Sequence, residues 1–272
     1  MRISETFRSP SRYELAAADI LQGLGQWRLW LFLSWQDIKL RYRRSTLGPF
    51  WITLSMAITI YTIGLLYGKL LKMDLKLYYP FLAAGMLTWN LISTLVVDGM
   101  NIFTESESFL KQMKKPYSTF IFRVISRNFI LFFHNVIVIV PIIIIFHVQI
   151  SWHILLLPVS LFIIWLNAAA YTTIFSMLGT RFRDLTQVIT SLMQVAFFIS
   201  PVMWSPQILP ERYKFVVDIN PFAQFIEIIR EPLLGRLPSL YTMGAVLLIT
   251  LVGLTIAFLF FAKYRARIVY WL

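Results

Sequence analysis

Six stretches of the chain read as apolar runs that cross a bilayer core, which takes about 20 residues of helix. They cover residues 49–71, 80–97, 128–146, 154–178, 185–203 and 240–262. The third is interrupted by Asn135 and Pro141, and the fifth is short and runs into Pro201. Outside the runs, residues 24–44 carry Leu24, Trp27, Leu31, Trp35, Ile38 and Tyr42 at steps of three and four, opposite Arg28, Asp37, Arg41 and Arg44. This is helical spacing. A helix with indoles on one side and bases on the other lies in the membrane interface. The bases Arg41, Arg43 and Arg44 are candidates for contact with a phosphorylated lipid headgroup at the cytoplasmic mouth.

Two connecting segments carry patterns of their own. In NIFTESESFLKQMKKPY, residues 101–117, Thr104 and Glu107 have the spacing of a capping box. Glu105 and Glu107 suit the positive end of a helix dipole, and Lys111, Lys114 and Lys115 the negative end. With Pro116 as its stop, the pattern predicts a short cytoplasmic helix over 104–116 with Phe109, Leu110 and Met113 as apolar contacts. That helix reads either as a plain connector or as a docking piece for a cytoplasmic partner. The segment from Trp204 to Ser239 is too long for a structureless loop. Asn220-Pro221 divides it into two helical pieces and Gly235 closes the second, which predicts an outer re-entrant hairpin over 204–236 and a candidate exit gate.

Composition strengthens the membrane reading. The chain is 58% hydrophobic and 14% charged, against roughly 25% charged in soluble domains. Its net charge of +12 lies between apolar runs rather than on one soluble face, which argues against nucleic acid. With the N-terminus inside, eighteen of the 25 Lys and Arg residues fall on the cytoplasmic side and seven outside, so both termini are expected in the cytoplasm. The opening residues MRISETFRSPSRYE lack the apolar run and cleavage site of a leader, so insertion without cleavage is expected. The fold class predicted is an all-α integral membrane protein of six transmembrane helices. Residues 1–45 form a cytoplasmic N-terminus with the interface helix, and 46–272 form a permease domain.

Candidate chemistry is sparse. The fragment from Gly64 to Leu70 is one residue short of a P-loop and has Leu where Ser or Thr would hold magnesium, so Gly64 and Gly68 read better as a small-residue helix contact. His134, His147 and His153 lack metal-ligand spacing, there is no cysteine, and no metal site is expected. Only Asp98 approaches a span, so an ion-coupled carrier is disfavoured, as is a membrane enzyme for want of a convergent catalytic cluster. Energy for transport must then come from another subunit.

The segment DIKLRYRRSTLGPFW, residues 37–51, resembles the start of the first span in type-2 ABC export permeases for polysaccharides. Residues 200–204 (SPVMW), Leu209-Pro210, Asn220-Pro221-Phe222 and residues 230–235 (REPLLG) resemble that family's second signature. The likeness runs from about residue 35 to the end and is nearest to Wzm-type O-antigen permeases, with capsule and teichoic-acid permeases next. A type-2 permease for a small lipid or drug is the alternative within the class. The resemblance implies a homodimer in the bacterial inner membrane, paired with a separate nucleotide-binding ABC subunit. ATP and magnesium would be bound by that subunit, with no cofactor on this chain. It implies a cargo of glycan on undecaprenyl pyrophosphate, 104–116 as the coupling helix, and 204–236 as the outer hairpin. Trp89, Phe197, Phe198 and Trp204 are candidate channel aromatics, with Asn220, Pro221 and Phe222 at the gate.

Overall fold

The structure, a computed structural model, describes residues 10–43, 45, 47–48, 50–70 and 72–272. All regular structure among them is helical. Helices α1 (Arg12–Gly25) and α2 (Trp27–Arg41) precede α3 (Phe50–Leu70) and α4 (Leu75–Met100). Two short helices follow, α5 (Ile102–Glu105) and α6 (Glu107–Gln112), then α7 (Tyr117–Val136), α8 (Ile139–Phe146) and α9 (Leu157–Arg181). The chain ends with α10 (Leu185–Ile199), α11 (Phe215–Ile219), α12 (Pro221–Leu233), α13 (Leu240–Tyr264) and α14 (Ile268–Trp271). Five stretches are long and apolar enough to cross a membrane: α3, α4, Tyr117–Phe146, Trp152–Arg181 and Leu240–Trp271. The expected span at 185–203 is a helix of 15 residues. It stops at Ile199 because Pro201 disfavours helical geometry at Ser200, whose ψ is 145°.

The third apolar run begins eleven residues before its expected start, at Tyr117. Arg123 and Arg127 hid those turns from a reading based on apolar length. Its break at Ile137–Val138 has a local cause. Pro141 lies in the first turn of α8, where its ring would clash with the carbonyl of Ile137 in an unbroken helix.

Helix α4 is the axis of the bundle, buried over most of its length. The small residues predicted to serve helix contact do so. A Cβ on Gly64 would collide with the Tyr79 ring, and one on Gly68 with Leu75, so α3 lies tight against the start of α4. At the other end of α4, Gly179 of α9 leaves no room for a side chain against the Met100 carbonyl. The outer faces of α3, α10 and α13 stay bare: Leu65, Leu66, Leu192, Val195, Leu247, Leu248 and Leu251 are all exposed. Apolar faces of this extent require lipid or another protein surface.

The region before the first span differs from the sequence expectation in two ways. Helix α1 was not anticipated. It starts at a capping box in which Ser11 accepts from the Glu14 amide at 3.2 Å while the Glu14 carboxylate accepts from the Ser11 amide at 2.7 Å. Helix α2 does leave Trp27, Leu31 and Trp35 exposed, as an interface helix requires, but Asp37 does not share a solvated face with the bases. The face carrying Ser34, Asp37 and Ile38 packs on α7, where Ser34 Oγ lies 2.7 Å from the Arg123 carbonyl.

Asp19 ties this layer together. Its side chain has no solvent exposure and accepts from the amides of Tyr117 (3.2 Å) and Ser118 (3.0 Å) and from Arg265 Nε at 2.8 Å. Pro116, which precedes α7, offers no side-chain cap of its own. The first amides of α7 are therefore capped from α1, and the same carboxylate holds the end of α13. We call this end of the bundle the collar. Removing a cap costs about 0.5–2 kcal/mol, and stranding half of a buried pair costs more. Arg265 is partly exposed and can rehydrate, so Asp19→Ala is expected to destabilise the protein by about 2–3 kcal/mol. Asp19→Asn, which keeps one acceptor, should lose less. Unfolding in detergent micelles measures both, and an unchanged transition for Asp19→Ala would remove the carboxylate from this role.

Candidate functional site

The predicted site residues gather in two places, one at the Met100 end of α4 and one near its middle. At the collar, the capping box proposed for Thr104 and Glu107 does not form. Thr104 already lies inside α5, and its hydroxyl donates back to the Asn101 carbonyl at 2.9 Å. Glu107 opens α6 and pairs with Lys111 at 2.5 Å. That hydrogen bond and the charge of Lys111, with Arg183 adding to them, hold the Glu107 carboxyl below the ordinary carboxylate range. The expected single helix over 104–116 is thus two short helices and an extended link. Lys114 and Lys115 lie in the link after Gln112, and Pro116 leads into α7 instead of ending α6. Leu110 is buried and anchors α6, whereas Phe109 and Met113 are 39% and 46% exposed. Glu105, Lys111, Lys114 and Lys115 are exposed beside them. The result is a basic surface with two apolar contacts on offer.

Beneath this surface lies a charge network the sequence reading did not find. Arg127 Nη2 meets Asp98 of α4 at 2.9 Å, and Nη1 lies 3.6 Å from Asp37 of α2 and 4.0 Å from Glu105 of α5. Arg123, one turn earlier, closes on Asp37 through two bonds of 2.5 and 2.8 Å and stacks on the Phe109 ring. Asn128 adds a 3.0 Å bond to Asp98. Two arginines of α7 therefore join α2, the end of α4 and the short helices. The available signal was the i, i+4 spacing of Arg123 and Arg127 within an apolar stretch, where unpaired charge is costly. Arg41 and Arg43 are exposed at and just past the end of α2, and Arg44 lies outside the described residues.

Near the middle of α4, the seven predicted gate residues come together. Trp89 is buried on α4, with Phe197 of α10 at 5.6 Å and Phe222 of α12 at 5.5 Å between ring centroids. Phe198 packs edge-on against Phe197 and is largely exposed. Trp204 Nε1 donates to the Phe198 carbonyl at 3.1 Å. Asn220 donates to Ser200 Oγ at 2.9 Å, and its own carbonyl accepts from the Phe222 and Ala223 amides, which caps α12 behind Pro221. Trp89 lies 14 residues into α4, so at 1.5 Å per residue the α11–α12 tip meets α4 about 21 Å from its start. An apolar crevice of about 540 Å³ opens beside this layer, between α10 and the α4, α9 and α12 walls. Helix α10 buries only Met193.

Arg230 is the residue missed here. It was counted among the outer surface bases, yet it is 1% exposed. Its Nη2 donates to the carbonyls of Pro201 (2.7 Å) and Val202 (3.1 Å), and its guanidinium lies 3.7 Å from the centre of the Phe81 ring. Gly85 of α4 makes the room, since a Cβ there would collide with both Arg230 and the Val202 carbonyl. Arg230 thus pins α12 to the chain leaving α10. Its position after Ala223, Ile226 and Ile229 continues the buried stripe of α12, which was the readable signal.

Comparison with known proteins gives a consistent result. The family model described as ABC-2 type transporter matches residues 28–234, from α2 through α12. The O-antigen export system permease protein RfbA of Myxococcus xanthus is 23% identical over 214 residues, 76% of this chain and 81% of that protein. A protein of the same name from Klebsiella pneumoniae is 22% identical over 231 residues, 81% of this chain and 87% of that protein.

The collar network yields a direct test. Hydrogen bonds to charged groups contribute about 1.5–3 kcal/mol. Arg127→Gln should therefore speed amide exchange across α5 and α6 roughly 30-fold, the equivalent of about 2 kcal/mol. Arg127→Lys should fall between the two. Unchanged exchange in Arg127→Gln would show that the network does not hold these helices.

Proposed function

We infer the function from the premise that this chain belongs to the ABC-2 type transporter family, a multi-pass membrane protein and transport permease. We propose that it is the permease subunit of an exporter that moves polysaccharide on undecaprenyl pyrophosphate, most closely O-antigen, across the bacterial inner membrane. ATP hydrolysis in a separate nucleotide-binding subunit, which holds ATP and magnesium, drives the movement. The observation that carries this reading is the extended similarity to two O-antigen export system permeases, each covering over three quarters of both chains.

Physical features support the finer points. The excess of Lys and Arg at the collar favours a cytoplasmic collar with both termini inside. Helix α10 and the turn at 200–203 that follows it together make a sixth crossing, and the α11–α12 tip beside Trp89 supports a hairpin that re-enters the membrane from outside. The bare faces of α3 and α10 suit a second copy of the chain, which would complete the path. The exposed Phe109, Met113, Lys111, Lys114 and Lys115 offer the nucleotide-binding subunit a docking surface, and Arg41 and Arg43 offer the headgroup phosphates two cations. Closure of that subunit moves α5 and α6. Arg127 and Arg123 pass the displacement to α2 and α4, and α4 carries it to Trp89 and Gly85 at the gate. The apolar crevice beside α10 favours one other reading, a permease for a small lipid or drug within the same class.

Deleting the gene in its host and assaying surface polysaccharide and intracellular lipid-linked polymer separately decides between them. Loss at the surface with accumulation inside is expected. Normal surface glycan, or loss without accumulation, would overturn the export reading. Replacing Lys111, Lys114 and Lys115 together by Glu should reduce co-purification of the nucleotide-binding subunit at least about tenfold, equivalent to about 1.4 kcal/mol of binding. The amount of the chain in the membrane should not change. Retained co-purification would move the docking surface elsewhere.

A further inference from the structure

One large cavity among the described residues has no part in the functions assigned above. It measures about 800 Å³ and lies between the start of α4, the end of α8, the turn at 205–207 and α12. That volume is within the usual range for small-molecule sites, about 300–1,000 Å³. Arg230 lines it. The Nη2 group is spent on two carbonyls, but Nε is buried without any hydrogen-bond partner. A buried donor left unbonded is rare and marks a place where a ligand oxygen would be welcome. Glu227 and Glu231 flank Arg230 on successive turns of α12, and all three line the cavity. Thr242 donates to one oxygen of Glu227 at 2.9 Å.

The chemistry of the wall narrows the ligand. Three carboxylates, Asp74, Glu227 and Glu231, face three cations, Lys76, Arg230 and Arg236. A free anion would meet as much repulsion as attraction. A hydroxyl group, which donates to a carboxylate and accepts from a guanidinium, suits such a wall. Tyr78, Phe81 and Phe146 add apolar ring surface to the same cavity, against which the C–H face of a sugar ring can lie. We propose that this cavity is a saccharide-binding subsite that holds a neutral, polyhydroxylated segment of the cargo after it has passed the Trp89–Phe222 layer. The proposal rests on the export reading and adds a location to it. Because Arg230 also pins α12 to the end of α10, the subsite and the gate share one residue.

The chain contains no cysteine, so a single introduced thiol reports cleanly. Gln207→Cys places one on the cavity lip, and Arg212→Cys places one on the hairpin outside the cavity. Each variant, purified into phospholipid nanodiscs, is labelled with a charged maleimide. Labelling is repeated with polysaccharide from the same host, freed from its lipid by mild acid, and with inorganic phosphate. The glycan should slow labelling at position 207 at least threefold and leave position 212 unchanged, and phosphate should do neither. Adding Glu231→Gln to Gln207→Cys should abolish the protection without touching the Arg230 bonds to α10. Protection by phosphate, no protection by the glycan, or protection that survives Glu231→Gln would each overturn the subsite. A host whose surface glycan persists after gene deletion would instead overturn the export reading on which it rests.

Discussion

A guanidinium withdrawn from water needs its counter-charges inside the protein, and in a chain with so few acidic residues the choice of partners shapes the fold. Arg127 draws Asp37, Asp98 and Glu105 from three separate elements, and Arg123 shares Asp37 with it. Because the pairs are mostly shielded, their geometry is stiffer than that of exposed surface pairs. Helices α2, α4 and α5 are consequently positioned relative to α7, and through α4 the far end of the bundle is positioned as well.

The same economy recurs at the opposite end. There the cation, Arg230, uses carbonyls and an aromatic face in place of carboxylates. The carbonyls belong to Pro201 and Val202, in the turn just past α10, where backbone groups have no helical partners. One side chain therefore solves two problems, a buried charge and two turn carbonyls outside any helix. Gly85 permits the approach. The consequence is that α4, α10 and α12 meet at one point, next to the Trp89 layer, and a shift of any one of them is felt by the other two.

Most of the fold was legible from apolar length, because a helix crossing lipid must satisfy its backbone internally and its side chains must be apolar. The clustering of Asn220, Pro221 and Phe222 with the aromatics around Trp89 was legible too, since Asn-Pro before an apolar stretch has strong local meaning. The failures have physical causes. Helix α1 has no apolar run, and its stability comes from Asp19 and from contacts distant in sequence. Ser11 with Glu14, and Thr104 with Glu107, share one spacing, yet only the first is a cap, because Ser11 has the extended backbone of a cap while Thr104 already lies inside α5. The start of α7 and the burial of Arg230 depend on partners tens of residues away, which a reading by local pattern cannot supply.

Asp19 and Arg265 are separated by 246 positions, and that distance is also a distance in time. At synthesis rates of about 5–20 residues per second, the arginine follows the carboxylate by tens of seconds. Helix α1 leaves the ribosome before its partners, and its buried carboxylate meets Arg265 only when the end of α13 arrives. The amides of Tyr117 and Ser118 come about midway and hold it in the interval. The collar thus closes in the order of translation, first cap and then counter-ion. A chain cut short before α13 keeps the Asp19 carboxylate without its counter-ion, so this one contact reports whether synthesis has passed α13.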